Sequence, residues 1–300
     1  MASFQALGFP TTRHEDWKYT NVEPITSQSY VQAGDHALPL DAKDLFLRGF
    51  IDERALRLVF VNGVCAPKLS NLDSLPSGVS VGTFATALDN DDPVVPTQLG
   101  RYANSRHQAF TALNTAFMTD GALITIASGC RLAQPVHLVF VSAPGTQRII
   151  SHPRVLISAG SGSEARIVES YIGAGGNYFC NAVTEIVGAA DSLIEHYRIQ
   201  QESQTGFHVG ALAANLARGC HLTAHALSLS GALIRNNVHV VLDGEGAECA
   251  LNGLYLGEGK QHIDNSTEIE HAKPHGTSLE LYKGILSGNA HGVFNGKIVV

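Results

Sequence analysis

Short apolar runs separated by small-residue turns fill the chain from residue 121 onward. The runs ALITIASG, VHLVFVSAPG, RVLISAGSG and HVVLDGEG are either continuous or alternate between apolar and polar positions, which is typical of β-strands. An amphipathic helix would need apolar residues at three- and four-residue steps, and that spacing is not sustained there. We therefore predict that residues 121–300 form a mainly β region.

Residues 1–120 indicate a small α/β region in front of it. The run LRLVFVNGV has the length of a strand, and prolines interrupt the stretch that follows. A helix is predicted near 99–118, because apolar or long side chains recur there at helical steps: Leu99, Tyr102, Arg106, Phe110, Leu113 and Phe117. We expect it to end by Gly121, since glycine readily takes the left-handed exit conformation.

A repeat of 27 to 30 residues runs through the second region. Similar segments follow one another at offsets of 27, 30, 27 and 30 residues, starting at Gly162, Ala189, Gly219, Gly246 and Gly276. Small or apolar residues stand three positions after each start (Ala165, Ser192, Leu222, Cys249, Leu279) and five positions after it (Ile167, Ile194, Ala224, Leu251, Leu281). One coil of a β-helix has about this length, so the repeat predicts a parallel β-helix. An antiparallel β-sandwich with accidental self-similarity is the alternative.

The composition excludes partners that bind by broad electrostatic attraction. Charged residues make up 16% of the 300 residues, against about 25% in an average soluble protein. The net charge of -7 removes the general attraction to nucleic acid and to anionic membranes. The N-terminus lacks the pattern of a signal peptide, and no apolar run reaches 18 residues, so we expect a cytoplasmic protein that binds neither nucleic acid nor membrane.

The five cysteines are predicted to fill the core. They lie at least 29 positions apart without a CxxC pair: Cys65, Cys130, Cys180, Cys220 and Cys249. This spacing argues against a disulfide framework and against a self-contained zinc or iron–sulfur site. Free cysteine is among the most buried residue types, so a core position is favoured over a reactive thiol. The sequence also lacks a phosphate-binding loop, and we expect no nucleotide hydrolysis by this chain.

Two groups of residues allow both a functional and a structural interpretation. Imidazoles and carboxylates crowd into QHIDNSTEIEHAKPHG, at His262, Asp264, Glu268, Glu270, His271 and His275. In a strand Glu268 and Glu270 share one face while His271 points away, so a solvated strand face is favoured over a metal site. Trp17 and Tyr19 form a pair suited to stacking on a ligand, but an N-terminal anchor on the core is favoured.

The segment from Arg235 to Val300 resembles the core of the SufB/SufD family of iron–sulfur cluster assembly proteins. The matching residues fall in the family's order: Arg235, Asn236, Asn237, His262, Thr267, His271, Ser278, Tyr282, Lys283, Gly284, Phe294, Asn295, Gly296 and Lys297. The segment HEDWKYT, His14 to Thr20, resembles the signature with which SufD chains begin. The likeness therefore favours SufD over SufB.

This resemblance implies a right-handed parallel β-helix preceded by a small N-terminal region. It also implies a non-catalytic scaffold subunit of the SUF machinery that pairs with a SufB-like paralogue and a SufC-like ATPase. The chain alone would then bind no cofactor, and an iron–sulfur cluster would form transiently in the complex. The resemblance leaves open whether a flavin joins the complex and whether the chain forms a homodimer.

No catalytic, cofactor-binding or metal residue follows from the resemblance. Family members continue past the position of Val300 through a Cys-x-His segment implicated in cluster chemistry, so the metal ligands stay unknown for this chain. The chain stops at the apolar strand GKIVV, Gly296 to Val300, without a polar cap. We therefore expect a β-helix core that is truncated at its C-terminal end or covered there by a partner.

Two other functions are compatible with a β-helix. One is an enzyme acting on polysaccharide, for which Glu268, Glu270 and Lys283 are the available acidic and basic residues. The other is a homo-oligomeric β-helix without a bound cofactor.

Overall fold

The structure is a computed structural model that describes residues 1–34, 45–46, 51–52 and 54–300. The helices of the described part are short and belong to the N-terminal region: α1 Ala2–Leu7, α2 Glu23–Thr26, α3 Phe84–Asp89, α4 Val94–Gln98 and α5 Ala109–Phe117, with 3-10 turns at Glu15–Trp17 and Pro67–Leu69. After α5 the described chain consists of strands and the turns between them, as the hydrophobic pattern predicts.

The strands of the N-terminal region and the first coils are β1 Val31–Gln32, β2 Leu56–Val61, β3 Val64–Cys65, β4 Val79–Thr83, β5 Ala122–Ile126, β6 Val136–Ser142, β7 Ile149–Ser151 and β8 Arg154–Ala159. The longer strands that follow are β9 Glu164–Gly173, β10 Tyr178–Gly188, β11 Leu193–Gln201, β12 Phe207–Leu216, β13 His221–Ser230, β14 Leu233–Leu242, β15 Glu248–Gly257, β16 His262–Glu270, β17 Thr277–Leu286 and β18 His291–Val299.

Successive long strands alternate between two sheets that face each other. Sheet I has the order β18-β16-β14-β12-β10-β8-β5-β4, and sheet II has the order β17-β15-β13-β11-β9-β6-β2-β3. Neighbours from β5 and β6 onward are parallel, and each pairs with the strand one coil earlier or later. The prediction of a parallel β-helix is confirmed, and the antiparallel sandwich is wrong.

The register of sheet II corrects the predicted repeat at two coils. The column that begins at Ala165 continues through Ile194, Leu222, Cys249 and Ser278, so the coils measure 29, 28, 27 and 29 residues. The repeat predicted from the sequence puts Ser192 and Leu279 in this column in place of Ile194 and Ser278. The apolar pattern does not predict this register, because the next inward positions are polar: His196 follows Ile194, and Glu280 follows Ser278.

A slip of one residue moves a side chain to the opposite face of its strand. In β17, Leu279 and Leu281 therefore point outward, with 69% and 55% of their surface exposed.

The space between the two sheets, which we call the lumen, holds the main hydrophobic core. Inward side chains of successive coils stack there, for example Ile124, Ile157 and Ile186 of sheet I, each almost fully buried. The three buried cysteines belong to this core, and Cys65 and Cys130 are half-buried against it. The prediction that the cysteines fill the core is confirmed for Cys180, Cys220 and Cys249, whereas Cys65 and Cys130 lie at its edge.

The N-terminal region covers the outer faces of the first coils. A first outer layer packs on sheet I and joins Val22, Ile25, Phe110 and Leu113 to Phe179, Val209 and Leu233. A second outer layer packs Leu45 and Ile51 on Val139, Val141 and Ile172 of sheet II. These early strands are therefore buried on both faces, whereas β17 is not.

The predicted helix near 99–118 is shorter in the structure, where α5 spans Ala109–Phe117. Upstream of it the chain wraps around the buried carboxylate of Glu185. The backbone N–H groups of Gly100, Tyr102 and Ala103 donate to its two oxygens over 2.8 to 3.0 Å. Gly100 takes a left-handed conformation with φ of 75°, which interrupts a helix at this point.

Close stacking of the coils predicts a large effect at Gly244. A Cβ added there would lie 1.9 Å from the backbone nitrogen of Arg218 on the previous coil. We expect Gly244→Ala to reduce the free energy of unfolding by about 1–3 kcal/mol or more, as overpacking does. Gly82 in β4 is the matched control, because a Cβ there meets no atom of the described residues within 4 Å. Equal urea midpoints for Gly244→Ala and Gly82→Ala would contradict the stacking.

Both outer layers hold a buried histidine that resists protonation. Burial lowers the pKa of His152 to about 4, and burial together with the charge of Arg57 lowers the pKa of His137 to about 4, from an ordinary 6.5. His137 contacts the Ser170 hydroxyl over 2.7 Å, and His152 accepts from the Asn181 amide over 3.2 Å.

As the pH falls, the unfolded chain binds these protons before the folded chain does. The free energy of unfolding therefore has its full value above pH 6.5 and decreases as the pH falls toward 4. Each histidine should account for about 2 kcal/mol of lost stability at pH 5. Urea unfolding at several pH values measures the slope, and the double variant His137→Gln, His152→Asn should flatten it. An unchanged slope in that variant would contradict this origin.

Candidate functional site

Two segments more than 200 residues apart in sequence meet on the outer face of sheet I. Thr20 lies 2.8 Å from His262 Nε2 and donates to the buried carboxylate of Asp264. Arg235 pairs with the same carboxylate, donates over 2.9 Å to the carbonyl of Asp16, and lies over the Trp17 ring at 4.6 Å. We call this group the N-terminal clamp.

The N-terminal clamp contains a buried ion pair, so its stability depends on both charged partners being present. Arg235 and Asp264 are 2% and 0% exposed, and Thr20 is fully buried beside them. Removing one partner of such a pair leaves an uncompensated charge away from water. Trp17 also packs on Phe110 of α5. The predicted anchoring role is confirmed for Trp17, whereas Tyr19 is 61% exposed.

A cavity of about 610 Å³ opens beside the N-terminal clamp, between the N-terminal segment and sheet I. Its polar lining includes His107, Gln108, Asn237, His239, Glu268 and Lys297. Glu268 and Lys297 lie 3.2 Å apart at its rim and are both exposed to water. Apolar side chains such as Trp17, Phe110 and Val209 line the rest of the cavity.

The predicted cluster of imidazoles and carboxylates does not assemble into one site. Asp264 belongs to the N-terminal clamp, Glu268 pairs with Lys297, and His271 lies 2.9 Å from the Ser278 hydroxyl. His275 occupies a turn and is exposed. The candidate residues of the polysaccharide enzyme are likewise separated, since Glu268 and Glu270 lie on β16 of sheet I and Lys283 lies on β17 of sheet II.

The lumen holds a buried polar group around Glu169, on the second inward position after Ala165. This carboxylate accepts from His196, Thr184 and Tyr171 over 2.8 to 2.9 Å. Arg198 lies 3.6 Å away and also donates to Thr184. Burial by itself would raise the pKa of Glu169, but its interactions with His196, Arg198 and Thr184 outweigh this effect and hold the pKa at about 2.

A second buried polar group lies around Glu202, at the corner between β11 and β12. Its carboxylate accepts from the Tyr178 hydroxyl and contacts His208 Nδ1, both over 2.6 Å. Cys180 completes the group, because one ligand atom from each of Cys180, Glu202 and His208 lies within 4.8 Å of the others. Burial, and then the charge of Glu202, raise the pKa of the Cys180 thiol well above its ordinary value.

The second group is fully enclosed, with His208 at 0% exposure. The Nε2 atom of His208 has no hydrogen-bond partner in the described part of the chain. The Tyr171 ring meets the His208 ring edge-on at 4.7 Å and so connects the two polar groups. A third set of lumen amides and hydroxyls follows at Gln200, Ser228, Asn236 and Asn265.

Sequence reasoning missed these lumen groups, although a signal for them exists. In IVESY and IEHYRIQQ, polar residues stand two positions apart in strands that are otherwise apolar inside. The alternation of a strand then places Glu169, His196 and Arg198 on the buried face. Glu202 and His208 are six residues apart, and the register of β10 with β12 brings Cys180 to them from the previous coil. Among the residues that the structure describes, these three form the group whose ligand atoms lie close enough to hold a metal ion.

Both the N-terminal part and the β-helical part of the chain match models of known protein families. Residues 1–138 match the family model described as SufBD protein N-terminal region, and residues 140–300 match the model described as SUF system FeS cluster assembly, SufBD core domain. The N-terminal clamp therefore joins the two matched regions. No helix in the described part of the chain is long and apolar enough to cross a membrane.

Two curated relatives are similar over almost the whole chain, and a third over a little less than two thirds of it. An iron–sulfur cluster assembly SufBD family protein of Synechocystis is 28% identical over 98% of this chain and 66% of its own length. The iron–sulfur cluster assembly protein SufD of Escherichia coli is 27% identical over the same shares. A SufBD family protein of Mycobacterium tuberculosis is 28% identical over 64% of the chain and 48% of its own length. The chain thus spans about two thirds of the length of the first two relatives.

The N-terminal clamp predicts a strong effect of Arg235→Ala on the N-terminal segment. Leaving Asp264 buried without its cation should reduce the free energy of unfolding by about 3–5 kcal/mol. Hydrogen exchange should show faster exchange of the amides from Asp16 to Thr20. Arg166→Ala is the matched control, because the Arg166–Glu195 pair is nearly half exposed and should contribute about 1 kcal/mol or less. Unchanged exchange in Arg235→Ala would show that the clamp does not hold the segment.

Proposed function

The chain belongs to the SufBD family of iron–sulfur cluster assembly proteins, and we propose that it acts there as a non-catalytic scaffold subunit in the position of SufD. One observation carries the proposal. Both family models match in order and together span nearly the whole chain, and the N-terminal clamp joins the two matched regions through buried contacts. The iron–sulfur cluster is then the cargo of the complex rather than a resident cofactor of this chain.

The proposed partners are a SufB-like paralogue and a SufC-like ATPase. The sequence has no phosphate-binding loop, so the nucleotide chemistry would be supplied by the ATPase. A parallel solenoid suits a scaffold, because each coil is fixed by the ones before and after it and the whole body presents rigid outer faces. We propose that the complex works in the cytoplasm, which agrees with the sequence composition.

The polysaccharide enzyme gains no support from the geometry. Its candidate carboxylates and lysine lie on different sheets, and Glu268 is already paired with Lys297. Hydrolysis of a glycosidic bond needs two carboxyl groups that flank one bond at a defined separation. We therefore propose no second function.

Affinity purification from the native source tests the assembly role. The tag is placed at the N-terminus of the chromosomal gene, so that any sequence following residue 300 is retained. We expect a SufB-like chain and an ATPase to co-purify in stoichiometric amounts. Deletion of the gene should lower the activity of iron–sulfur enzymes, and the reintroduced gene should restore it.

An unrelated tagged protein from the same cells is the control for nonspecific capture. If neither partner is enriched over that control, the pairing proposal is wrong. If iron–sulfur enzyme activities are unchanged in the deletion strain, the assembly role itself is contradicted.

A further inference from the structure

The Cys180, Glu202 and His208 side chains come from three consecutive segments of the solenoid. Cys180 of β10 and His208 of β12 are register partners on adjacent coils, and both point into the lumen. Glu202 directly follows β11, at the corner that leads into β12. Strand pairing thus holds Cys180 and His208, and a backbone hydrogen bond from Glu202 to the carbonyl of Ser230 over 3.1 Å holds the corner.

The separations suit one metal ion among the three side chains. Their ligand atoms all lie within 4.8 Å of one another. A transition metal binds sulfur at about 2.3 Å and nitrogen or oxygen at about 2.0–2.2 Å, so its ligands lie roughly 3–4 Å apart. His208 Nδ1 and Glu202 Oε1 are 2.6 Å apart and would have to separate slightly. No hydrogen bond at the second imidazole nitrogen opposes this small movement, because Nε2 has no partner among the described residues.

The charge of the site also suits a cation. Glu202 is 3% exposed, and its hydrogen-bond partners are the phenol of Tyr178 and the ring of His208. The nearest lumen cation, Arg198, is already paired with Glu169. A divalent ion bound by one thiolate, one carboxylate and a neutral imidazole would leave the buried site with no net charge, which is the favourable state away from water.

We propose that Cys180, Glu202 and His208 form a binding site for one divalent transition-metal ion that accepts mixed sulfur, nitrogen and oxygen ligands, such as Zn²⁺ or Fe²⁺. On binding, the S–H bond of Cys180 breaks, a sulfur–metal bond forms, and the proton leaves to solvent. Binding is therefore tighter at higher pH. This site is independent of the proposed assembly role, since it rests on the lumen geometry alone.

The corner beside Glu202 is where the site comes next to partly exposed backbone. Tyr178 accepts a hydrogen bond over 2.7 Å from the backbone N–H of Ser203, which is half-buried. The Tyr178 hydroxyl thus stands between the carboxylate and the surface. Entry of a metal ion therefore requires a local opening of the structure, because Tyr178, Glu202 and His208 are 1%, 3% and 0% exposed.

Titration of the purified, metal-free chain with Co²⁺ under anaerobic conditions tests the site. Co²⁺ substitutes for Zn²⁺ and shows a sulfur-to-metal charge-transfer band only when a thiolate is bound. We expect one Co²⁺ per chain with this band, and displacement of the ion by Zn²⁺. The variants Cys180→Ser, His208→Asn and Glu202→Gln should each weaken binding at least tenfold, with the band lost in Cys180→Ser.

Cys220→Ser and Cys249→Ser are the matched controls, because both cysteines are buried in the same lumen but outside the group. They should bind Co²⁺ as the unmodified chain does. Circular dichroism melting identifies any variant that fails to fold. If Cys180→Ser does not fold, the near-isosteric variant Glu202→Gln provides the test instead. The proposal is overturned if the unmodified chain binds less than half an equivalent with no charge-transfer band. It is equally overturned if the folded variants bind as tightly as the controls.

Discussion

The stacking of parallel coils is the constraint on which the rest of this structure depends. Each strand receives its hydrogen bonds from the strand one coil away, so the length of a coil and the face of every side chain are fixed together. The columns of the lumen follow from this pairing. A coil can vary from 27 to 29 residues in sheet II because the difference is absorbed at the corners between the strands.

The same constraint explains why the lumen tolerates charges at all. A buried carboxylate is destabilising unless hydrogen bonds and opposite charge surround it, and fixed columns bring the required partners to adjacent coils. Glu169 receives His196 and Arg198 from the next strand of its sheet, and Thr184 from the facing sheet. On the outer face, Arg235 and Asp264 pair between neighbouring strands in the same way.

Sequence reasoning predicts the solenoid and the anchoring of Trp17, because both depend on local patterns of apolar residues. It places the last coil one residue out of register, since Glu280 occupies an inward position that the pattern reserves for an apolar side chain. It also extends the helix of residues 109–117 too far upstream, because the carboxylate of Glu185 that holds residues 100–103 lies 82 or more positions away. Contacts between distant coils are invisible to a local pattern.

The two lumen carboxylates show how neighbouring coils give one residue type two different properties. Burial alone would raise the pKa of Glu169, but Arg198 at 3.6 Å and the donors His196 and Thr184 hold it at about 2. Glu202 has a phenol and an imidazole as its partners, and burial together with the charge of Glu202 raises the pKa of the Cys180 thiol. An arginine is thus paired with the first carboxylate and, among the described residues, not with the second. The position of Arg198, beside Glu169 and over the Tyr171 ring, creates this asymmetry.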